Sequence, residues 1–267
     1  MNRYALISDI HGNLPALLAV LEDAQKHGVD HYLLLGDYVE DFPWPNEIVR
    51  IMQGLENAVM IRGNKEEYLA NMQGEDQTQW VYEQMAPMYW NYRALTAEHL
   101  DYLVALPASA EVQALNGVSI CLSHQEPAQE IAKMPLGVYI FGHSHIQSSV
   151  ELEGRWYINP GSCGMPMDSV VGASYTILEH EAGYWKTIER RVLYDTEAAV
   201  QALVDSELYA QAEIWSKIMI QQLRTGNNII NPFLHHAQGL AREQGCPAHP
   251  ISNELWREAA ATFEGWR

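Results

Sequence analysis

Short apolar runs alternate with helical patterns along the first 65 residues. The apolar runs cover residues 4–7, 32–35 and 58–61. Between them, apolar residues recur at three- and four-residue steps, at Leu14, Leu17, Leu18 and Leu21 and again at Ile48, Val49, Met52 and Leu55. That spacing predicts helices, with Asn13 as the N-cap of the first and Gly28 as its stop. A β-α-β-α-β order of this kind predicts parallel strand pairing with right-handed crossovers.

A helical insert is predicted from residue 66 to about residue 106, with a kink at Pro87. One apolar stripe runs along it at alternating four- and three-residue steps, through Val81, Met85, Met88, Tyr92 and Leu95. Several aromatic residues lie on or beside the stripe, namely Trp80, Tyr82, Tyr89, Trp90 and Tyr92. Helix packing is the favoured interpretation of these rings, and a stacking platform for a nucleobase is the alternative.

The pattern changes to strands between residues 110 and 192. Hairpin signals lie at Leu115-Asn116-Gly117, Glu153-Gly154 and Ala182-Gly183. A second, largely antiparallel sheet packed on the first is the predicted arrangement. Residues 196–267 return to helical patterns, with a break near residues 225–228. The predicted fold class is therefore α/β, with two packed sheets and added helices, divided into a core domain of residues 1–194 and a helical extension of residues 195–267.

The net charge limits the class of binding partner. Sixteen basic residues stand against 34 acidic ones, which gives a formal charge of -18. A surface this acidic repels polyphosphate backbones, so duplex nucleic acid is disfavoured as a partner. Cations bound in one cleft would still reverse the sign of the potential there.

Cysteine usage and hydropathy favour a soluble, cytoplasmic protein. The three cysteines, Cys121, Cys163 and Cys246, are scattered and form no CxxC pair, so a disulfide framework is not expected. The apolar run at the start of the chain meets Asp9 almost at once, so a signal peptide does not fit. No uninterrupted stretch of about 18 apolar residues occurs, so no membrane span is expected.

Polar side chains follow the predicted strands, at the carboxyl ends where open α/β sheets place their ligands. They occur as Asp9-Ile10-His11, Gly36-Asp37, Gly63-Asn64, Ser123-His124 and Gly142-His143-Ser144-His145. A mixture of oxygen and imidazole donors suits Mn²⁺, Fe, Zn²⁺, Ni²⁺ or Co²⁺. It does not suit Ca²⁺, which binds in sites made of oxygen donors. In Asp-x-His and His-x-His, both side chains lie on the same side of an extended segment, so each pair can hold one ion. Seven ligands exceed the need of one catalytic metal with an open position, and they suit two metals that share a carboxylate.

These motifs, together with Asn159-Pro160-Gly161-Ser162, resemble the ordered motif series of the calcineurin-like metallophosphoesterase family, of the small bacterial phosphodiesterase type. The resemblance spans roughly residues 4–162 and implies a two-sheet β-sandwich flanked by helices. The separations between Asp9 and Asp37 and between Asp37 and Asn64 are 28 and 27 residues, and each suits one α-β crossover. Any one motif is weak evidence for the family, whereas the complete series in this order is specific for it.

The resemblance also implies a ligand assignment and a mechanism. Asp9, His11 and His145 would hold a first metal and Asn64, His124 and His143 a second, with Asp37 bridging the two. Two divalent ions against two carboxylates leave the site at about +2, which would attract a phosphate into an acidic protein. The implied nucleophile is a hydroxide held by the metals, because metal binding lowers the pKa of water towards ~7. Manganese is the first expectation for both ions, and Asp37 and His11 are expected to be catalytic residues as well as ligands.

The sequence departs from the family pattern at an Asp–His couple that assists departure of the leaving group. Glu40 and Lys65 stand at the positions of that couple. Because a carboxylate still faces a cation, an ion pair is the hypothesis, and a solvated surface lysine is the alternative. A paired lysine stays charged near neutral pH, so it cannot donate a proton there, although its ammonium can stabilise phosphate charge.

Arg62 precedes Gly63-Asn64 and matches the family's Arg-Gly-Asn. Its planar guanidinium is expected to contact phosphate through two parallel hydrogen bonds. An ordinary surface salt bridge is the alternative for this residue.

The predicted function is metal-dependent hydrolysis of phosphoester bonds, as a phosphodiesterase acting on a small or nucleotide-derived substrate. The nearby alternative resembles diadenosine polyphosphate hydrolases, which share the fold and cleave pyrophosphate bonds. A protein phosphatase is disfavoured because the Asp–His couple is replaced. A non-catalytic metal-binding scaffold is the alternative of another class, but ligand loss would be expected there and all seven ligands are present.

Overall fold

Two five-stranded sheets and ten helices make up the part of the chain that the structure describes. A computed structural model describes residues 2–113, 117–127, 133–181 and 184–266. The strands are β1 (Asn2–Ile7), β2 (His31–Leu34), β3 (Ala58–Met60), β4 (Ser109–Gln113), β5 (Ser119–Ser123), β6 (Val138–Ile140), β7 (Ser148–Leu152), β8 (Arg155–Asn159), β9 (Ala173–Glu181) and β10 (Tyr184–Val192). The helices are α1 (Leu14–Lys26), α2 (Pro45–Gly54), α3 (Asn64–Met72), α4 (Ala86–Ala94), α5 (Ala97–Ala105), α6 (Thr196–Val204), α7 (Glu207–Gln211), α8 (Glu213–Thr225), α9 (Ile230–Glu243) and α10 (Asn253–Thr262). None of the helices in these ranges is both long and apolar enough to cross a membrane.

The first sheet has the strand order β10-β9-β1-β2-β3. Strands β1, β2 and β3 are parallel, with Leu6 opposite Leu33 and Leu33 opposite Val59, as the β-α-β-α-β pattern predicts. The side chain of Asn13 accepts a hydrogen bond from the backbone N–H of Ala16 and caps α1, which confirms the predicted helix start. Parallel pairing brings the carboxyl ends of the three strands to the same edge of the sheet.

Strands β9 and β10 also belong to the first sheet, so the expectation that residues 110–192 form one separate sheet is wrong. β9 runs antiparallel to β1, with Ala5 opposite Ile177, and β10 pairs antiparallel with β9. Burial explains the placement, because residues 173–179 are all buried, as in a strand covered on both faces. The hairpin signal predicts that β9 pairs with β10, but it does not predict the sheet to which this pair belongs.

The second sheet has the order β4-β5-β6-β8-β7 and is mixed, rather than largely antiparallel as predicted. Strands β5, β6 and β8 are parallel, and only the outer pairs β4–β5 and β7–β8 are antiparallel. Hairpin signals identify local pairs alone, whereas parallel neighbours need long crossover connections that leave no turn signature. The predicted turn at Glu153-Gly154 joins β7 to β8. The predicted turn residues Leu115-Asn116 and Ala182-Gly183 lie outside the described residues.

An apolar layer fills the space between the two sheets. The first sheet contributes Tyr4, Leu6, Leu33, Leu35 and Ile61, and the second contributes Ile120, Leu122, Val138, Ile140 and Ile158. Because strand residues alternate between faces, Ala5 and Ile7 point to the other side of the first sheet. They pack there in a larger core under helices α1 to α5. The two-sheet α/β fold flanked by helices is therefore confirmed.

The segment between β3 and β4 is helical only in part. Gln77–Gln79 and Glu83–Met85 form two short 3₁₀ turns between α3 and α4. Because α4 begins at Ala86, Pro87 lies in its first turn, where a proline fits without a kink. The predicted continuous stripe is wrong at its start, since Val81 is 58% exposed in the turn region.

Aromatic rings of this segment pack against one another. Trp80 lies parallel to Tyr89 with 5.0 Å between ring centroids, and it meets Tyr92 edge-on at 5.2 Å. All three rings border the core under the first sheet. These contacts support the helix-packing interpretation of the three rings.

Helices α6 to α10 surround an apolar cluster of their own. Phe233 and Trp256 are almost fully buried within it, with their ring centroids 4.9 Å apart. Phe42 and Met165, from loops of the sheet region, are buried in the same cluster. The C-terminal helices are thereby fastened to the loops at the edge of the sheets. The predicted break near residues 225–228 separates α8 from α9.

Helix α1 is tied to the first sheet by the carboxylate of Asp23. Arg190 donates to it through two nitrogens, at 3.0 and 2.9 Å, and the hydroxyl of Tyr175 donates at 2.7 Å. Burial opposes ionisation of Asp23, but these hydrogen bonds outweigh it and hold the pKa below its ordinary value. The ionised carboxylate therefore stabilises the fold above the unfolded-state pKa of 3.8, and the contribution is lost as the pH falls through the folded-state pKa.

We expect Asp23→Asn to lower the free energy of unfolding at neutral pH by roughly 1–2 kcal/mol, after allowance for solvent screening of a partly exposed pair. Urea unfolding near neutral pH and again well below pH 3.8 measures this loss, which should narrow only at the lower pH. Glu22→Gln is the matched control, because it removes only the exposed ion pair with Lys26 on the same helix. That control should cost less than about 0.5 kcal/mol, and equal losses in both variants would contradict the assignment.

Candidate metal centre

The loops that follow five of the strands meet at one edge of the two sheets. They carry Asp9 and His11 after β1, Asp37 after β2, Asn64 after β3, His124 after β5, and His143 and His145 after β6. The structure thus brings together all seven residues predicted as metal ligands. Five of them are buried, while Asn64 is half-buried and His143 is exposed. The centre is consequently closed on the side of the sheets and open on the side of these two residues.

The donor atoms form two compact groups. The first group is Asp9, His11 and His145, and the second is Asp9, Asp37 and His124. Within each group all the donor atoms lie within 4.8 Å of one another. Asn64 adjoins the second group, since its Oδ1 lies 3.1 Å from Nε2 of His124 and 3.0 Å from Nδ1 of His143. The spacing suits small cations held between the side chains.

The two carboxylate oxygens of Asp37 face different parts of the centre. Oδ2 lies 3.9 Å from Nε2 of His11, and Oδ1 lies 3.4 Å from Nε2 of His124. The backbone N–H of Lys65 donates to Oδ1 at 2.9 Å and helps to hold this orientation. Asp37 therefore faces one imidazole nitrogen from each donor group, while Asp9 belongs to both groups.

Three of the imidazoles are oriented through their Nδ1 atoms. Nδ1 of His124 lies 2.7 Å from the carbonyl of Leu35, and Nδ1 of His145 lies 2.7 Å from the carbonyl of Met165. A carbonyl only accepts, so Nδ1 carries a proton in both rings and Nε2 is presented to the centre. In His11, Nδ1 lies 2.6 Å from the carboxylate of Asp41. Its Nε2 is buried and has no hydrogen-bond partner among the described residues, although two carboxylates face it.

The charges at the centre favour a bound cation. Burial opposes ionisation of Asp37, but His124 and His11 outweigh it and hold the Asp37 pKa below its ordinary value. Burial likewise opposes the charged form of His124, yet Asp37 and Asp9 raise the pKa of that imidazole to about 10. The buried carboxylates thus attract positive charge strongly. Together with the unpartnered nitrogen of His11, this donor set fits a divalent transition-metal ion.

Backbone conformation at the ligands is strained. Five of the seven adopt the left-handed region that L-residues seldom occupy, namely Asp9 (φ 54°), His11 (φ 53°), Asp37 (φ 54°), His143 (φ 66°) and His145 (φ 62°). Such conformations cost on the order of 1–3 kcal/mol each and persist where the surroundings impose them. Strain concentrated on these residues is typical of a functional site.

Glu66 fixes the loops that carry two of the ligands. Its carboxylate accepts hydrogen bonds from the backbone N–H groups of Gly63, Asp37 and Tyr38, at 2.8, 3.0 and 2.9 Å. The side chain is fully buried. Gly63 permits the close approach of these loops, because a Cβ there would collide with the Asp37 carboxylate. The sequence patterns assign no role to Glu66.

Asp41 and Trp215 complete a chain of contacts that sequence reasoning does not identify. The carboxylate of Asp41 contacts Nδ1 of His11 through one oxygen and accepts a 2.6 Å hydrogen bond from the indole N–H of Trp215 through the other. Asp41 is buried, and Trp215 comes from helix α8. The only sequence signal is an acidic residue directly after Glu40. The C-terminal helices therefore help to orient a candidate metal ligand.

Glu40 and Lys65 form a buried ion pair next to the ligands, which confirms the ion-pair hypothesis over a solvated lysine. Arg62 is 34% exposed and lines a shallow cleft shared with Asn64 and His124. Its guanidinium lies 3.7 Å from the carboxylate of Glu67 and 3.5 Å from the carbonyl of Leu106. Part of its planar fork therefore remains available at the open side of the centre.

Comparison with known proteins identifies the family and agrees with the fold. A sequence model of the calcineurin-like phosphoesterase superfamily domain matches residues 3–183. An uncharacterized protein of Methanocaldococcus jannaschii is 31% identical over 231 residues, covering 76% of this chain and 93% of the relative. Residues 3–183, which the superfamily model matches, contain all seven candidate ligands.

Solved structures show the same architecture. A metallophosphoesterase from Sphaerobacter thermophilus superposes with a TM-score of 0.65 at 26% identity, over 84% of this chain and 99% of that one. A hypothetical protein from Pyrococcus horikoshii superposes with a TM-score of 0.66 at 20% identity, over 85% and 100% of the two chains, which shows the shared fold. The family match covers more than half of the sequence, and the relative exceeds 30% identity. The chain therefore belongs to the calcineurin-like phosphoesterase superfamily.

Proposed function

We propose that the protein is a binuclear metal-dependent hydrolase that cleaves phosphoester bonds in a small phosphate-containing substrate. Membership of the superfamily supports phosphoester chemistry. The observation that carries the proposal is the position of Asp37, whose two carboxylate oxygens face the Nε2 atoms of His11 and of His124. We further propose that residues 1–194 form the catalytic domain, with residues 195–267 as its extension, and that the protein is cytoplasmic.

Seven side chains would hold the two cations. Asp9, His11 and His145 would bind the first, Asn64, His124 and His143 the second, and Asp37 both. Mn²⁺ is our first candidate, and Fe, Zn²⁺, Ni²⁺ or Co²⁺ suit the same donors. When bound, such cations supply Lewis-acid activation of water and neutralise phosphoryl charge. The protein's part is to fix the donors, through the carbonyls behind His124 and His145 and through the Asp41 carboxylate behind His11.

Lys65 contributes a fixed positive charge beside the centre. Burial opposes its charged form, but the carboxylates of Glu40, Asp41 and Asp37 raise its pKa above the ordinary value. The ammonium therefore stabilises phosphoryl charge and does not protonate a leaving group. Arg62 would bind a phosphoryl oxygen from the open side of the centre. These roles favour substrates whose leaving group departs without protonation, such as activated phosphodiesters and pyrophosphate bonds.

Loss of the shared carboxylate should remove both metal binding and catalysis. We expect Asp37→Ala to lower phosphodiester turnover at least about a hundredfold, because charge stabilisation worth several kcal/mol is lost. Elemental analysis should show two cations per wild-type chain and fewer in the variant. Asp205→Ala, which removes an exposed carboxylate at the end of α6, is the matched control. A metal-free wild type without turnover would instead support the scaffold alternative.

The replaced Asp–His couple predicts a substrate preference. With Mn²⁺ present, we expect turnover of bis(4-nitrophenyl) phosphate and of a dinucleoside polyphosphate to exceed turnover of glycerol phosphate by more than about tenfold. Lys65→Met should slow the activated diester, because the ammonium no longer neutralises phosphoryl charge. A strong preference for the alkyl monoester would contradict the proposed role of Lys65. Lys217→Met, on the surface of α8, controls for the general loss of a positive charge.

Trp215 is a positioning residue in this proposal, since it reaches the metal ligand His11 only through Asp41. We expect Trp215→Phe to weaken Mn²⁺ binding about tenfold, as loss of an outer hydrogen bond to a metal ligand commonly does. Metal titration followed by calorimetry measures the change, and activity should recover at high Mn²⁺ concentration. Trp185→Phe, on β10, is the control and should bind Mn²⁺ like the wild type. Unchanged affinity in Trp215→Phe would show that the hydrogen bond has no positioning role.

A further inference from the structure

A cavity of about 450 Å³ lies beside the proposed metal centre. Helices α3 and α4 provide one wall, and α8, α9 and the segment at residues 248–251 provide the other. Glu40 and Lys65 also line the cavity. Lys65 directly follows the candidate ligand Asn64, and a carboxylate oxygen of Glu40 lies within 4.8 Å of a donor nitrogen of His11. The cavity therefore lies directly next to the proposed metal centre.

The walls of this cavity are mainly apolar and aromatic. Apolar surface comes from Met72, Met88, Tyr89, Trp215, Leu234 and Ile251. Amide groups of Asn71 and Gln238 supply hydrogen-bonding capacity, whereas the amide of Gln84 already bonds His249 and the backbone of Ile251. Flat rings together with methionines, which adapt to the shape of a guest, are suited to a planar organic group. The volume falls in the range of small-molecule sites.

The charges of the lining exclude a second anionic group. Among the described residues that line the cavity, Lys65 is the only lysine or arginine, and it is already paired with Glu40. The remaining lining carboxylate, Glu75, accepts a hydrogen bond from Trp80 and leaves the cavity with a negative balance. A guest in this space is therefore neutral, while its phosphate lies beyond Lys65 at the metal centre.

We propose that this cavity binds the uncharged, ring-containing half of a phosphodiester substrate, a group with the size and hydrogen-bonding edges of a nucleobase. The inference rests on the proposed phosphoesterase function and adds the substrate class to it. Because one wall is formed by α8 and α9, the C-terminal extension determines specificity. Leu234, on α9, lines the cavity and is a specificity-determining residue.

The test uses two esters that share one leaving group. Methyl 4-nitrophenyl phosphate and thymidine 5′-(4-nitrophenyl phosphate) both release 4-nitrophenolate, so they differ only in the group offered to the cavity. We expect wild-type kcat/KM with Mn²⁺ to favour the thymidine ester by about tenfold or more, which corresponds to about 1.4 kcal/mol of binding. Leu234→Trp, which fills the cavity, should bring that ratio close to one while changing kcat/KM for the methyl ester less than about twofold. Leu193→Trp, at a 75% exposed position outside the cavity, should change neither value.

Binding of the neutral nucleoside alone separates this inference from the proposed function. Thymidine should bind wild-type and Leu193→Trp protein in calorimetry, with or without Mn²⁺, and should not bind Leu234→Trp. Nucleoside binding without turnover of either ester would overturn the hydrolase proposal and leave the cavity assignment standing. Equal turnover of both esters, together with no thymidine binding, would overturn the cavity assignment and leave the hydrolase proposal standing. Circular dichroism and thermal unfolding of Leu234→Trp establish that the variant is folded.

Discussion

Two buried aspartates, Asp9 and Asp37, impose the electrostatic constraint on which this site depends. A carboxylate removed from water must be matched by hydrogen-bond donors or by positive charge. The surrounding imidazoles of His124 and His145 are themselves held by backbone carbonyls, so their orientation is fixed before any ligand arrives. Donor atoms crowded around two carboxylates make a pocket suited to divalent cations. A protein with a net charge of -18 can in this way offer a local region that attracts phosphate.

The sheets supply the rigidity that this arrangement needs. Left-handed backbone at Asp9, His11 and Asp37 is unfavourable for these residue types, and short loops alone would relax it. The loops are anchored to strand ends on one side, and three backbone N–H groups converge on the buried carboxylate of Glu66 on the other. The apolar layer between the sheets then fixes the position of the loops of one sheet relative to the loops of the other. Strain at the site is thus balanced by packing elsewhere.

Much of the fold and the candidate centre could be predicted from the sequence, because both depend on local patterns. The apolar runs locate β1, β2 and β3, and parallel pairing then gathers Asp9, Asp37 and Asn64 at one edge. What could not be predicted depends on contacts distant in sequence. Strand β9 joins the first sheet through its pairing with β1, and Asp41 meets a tryptophan 174 residues away. Neither contact leaves a periodic or turn signal, and the cavity between two separate helical segments leaves none either.

The hydrogen bond from Trp215 to Asp41 also affects when the site can assemble during synthesis of the chain. The ribosome makes the amino-terminal loops first, so His11 and Asp41 emerge while the tryptophan is still unsynthesised. Until helix α8 has left the ribosome and packed against the rest of the protein, Asp41 lacks the hydrogen bond from Trp215. The imidazole of His11, which Asp41 contacts, is then held less firmly. The site therefore reaches its full order only after helix α8 has been synthesised, and a nascent chain that stalls before α8 holds a less ordered site.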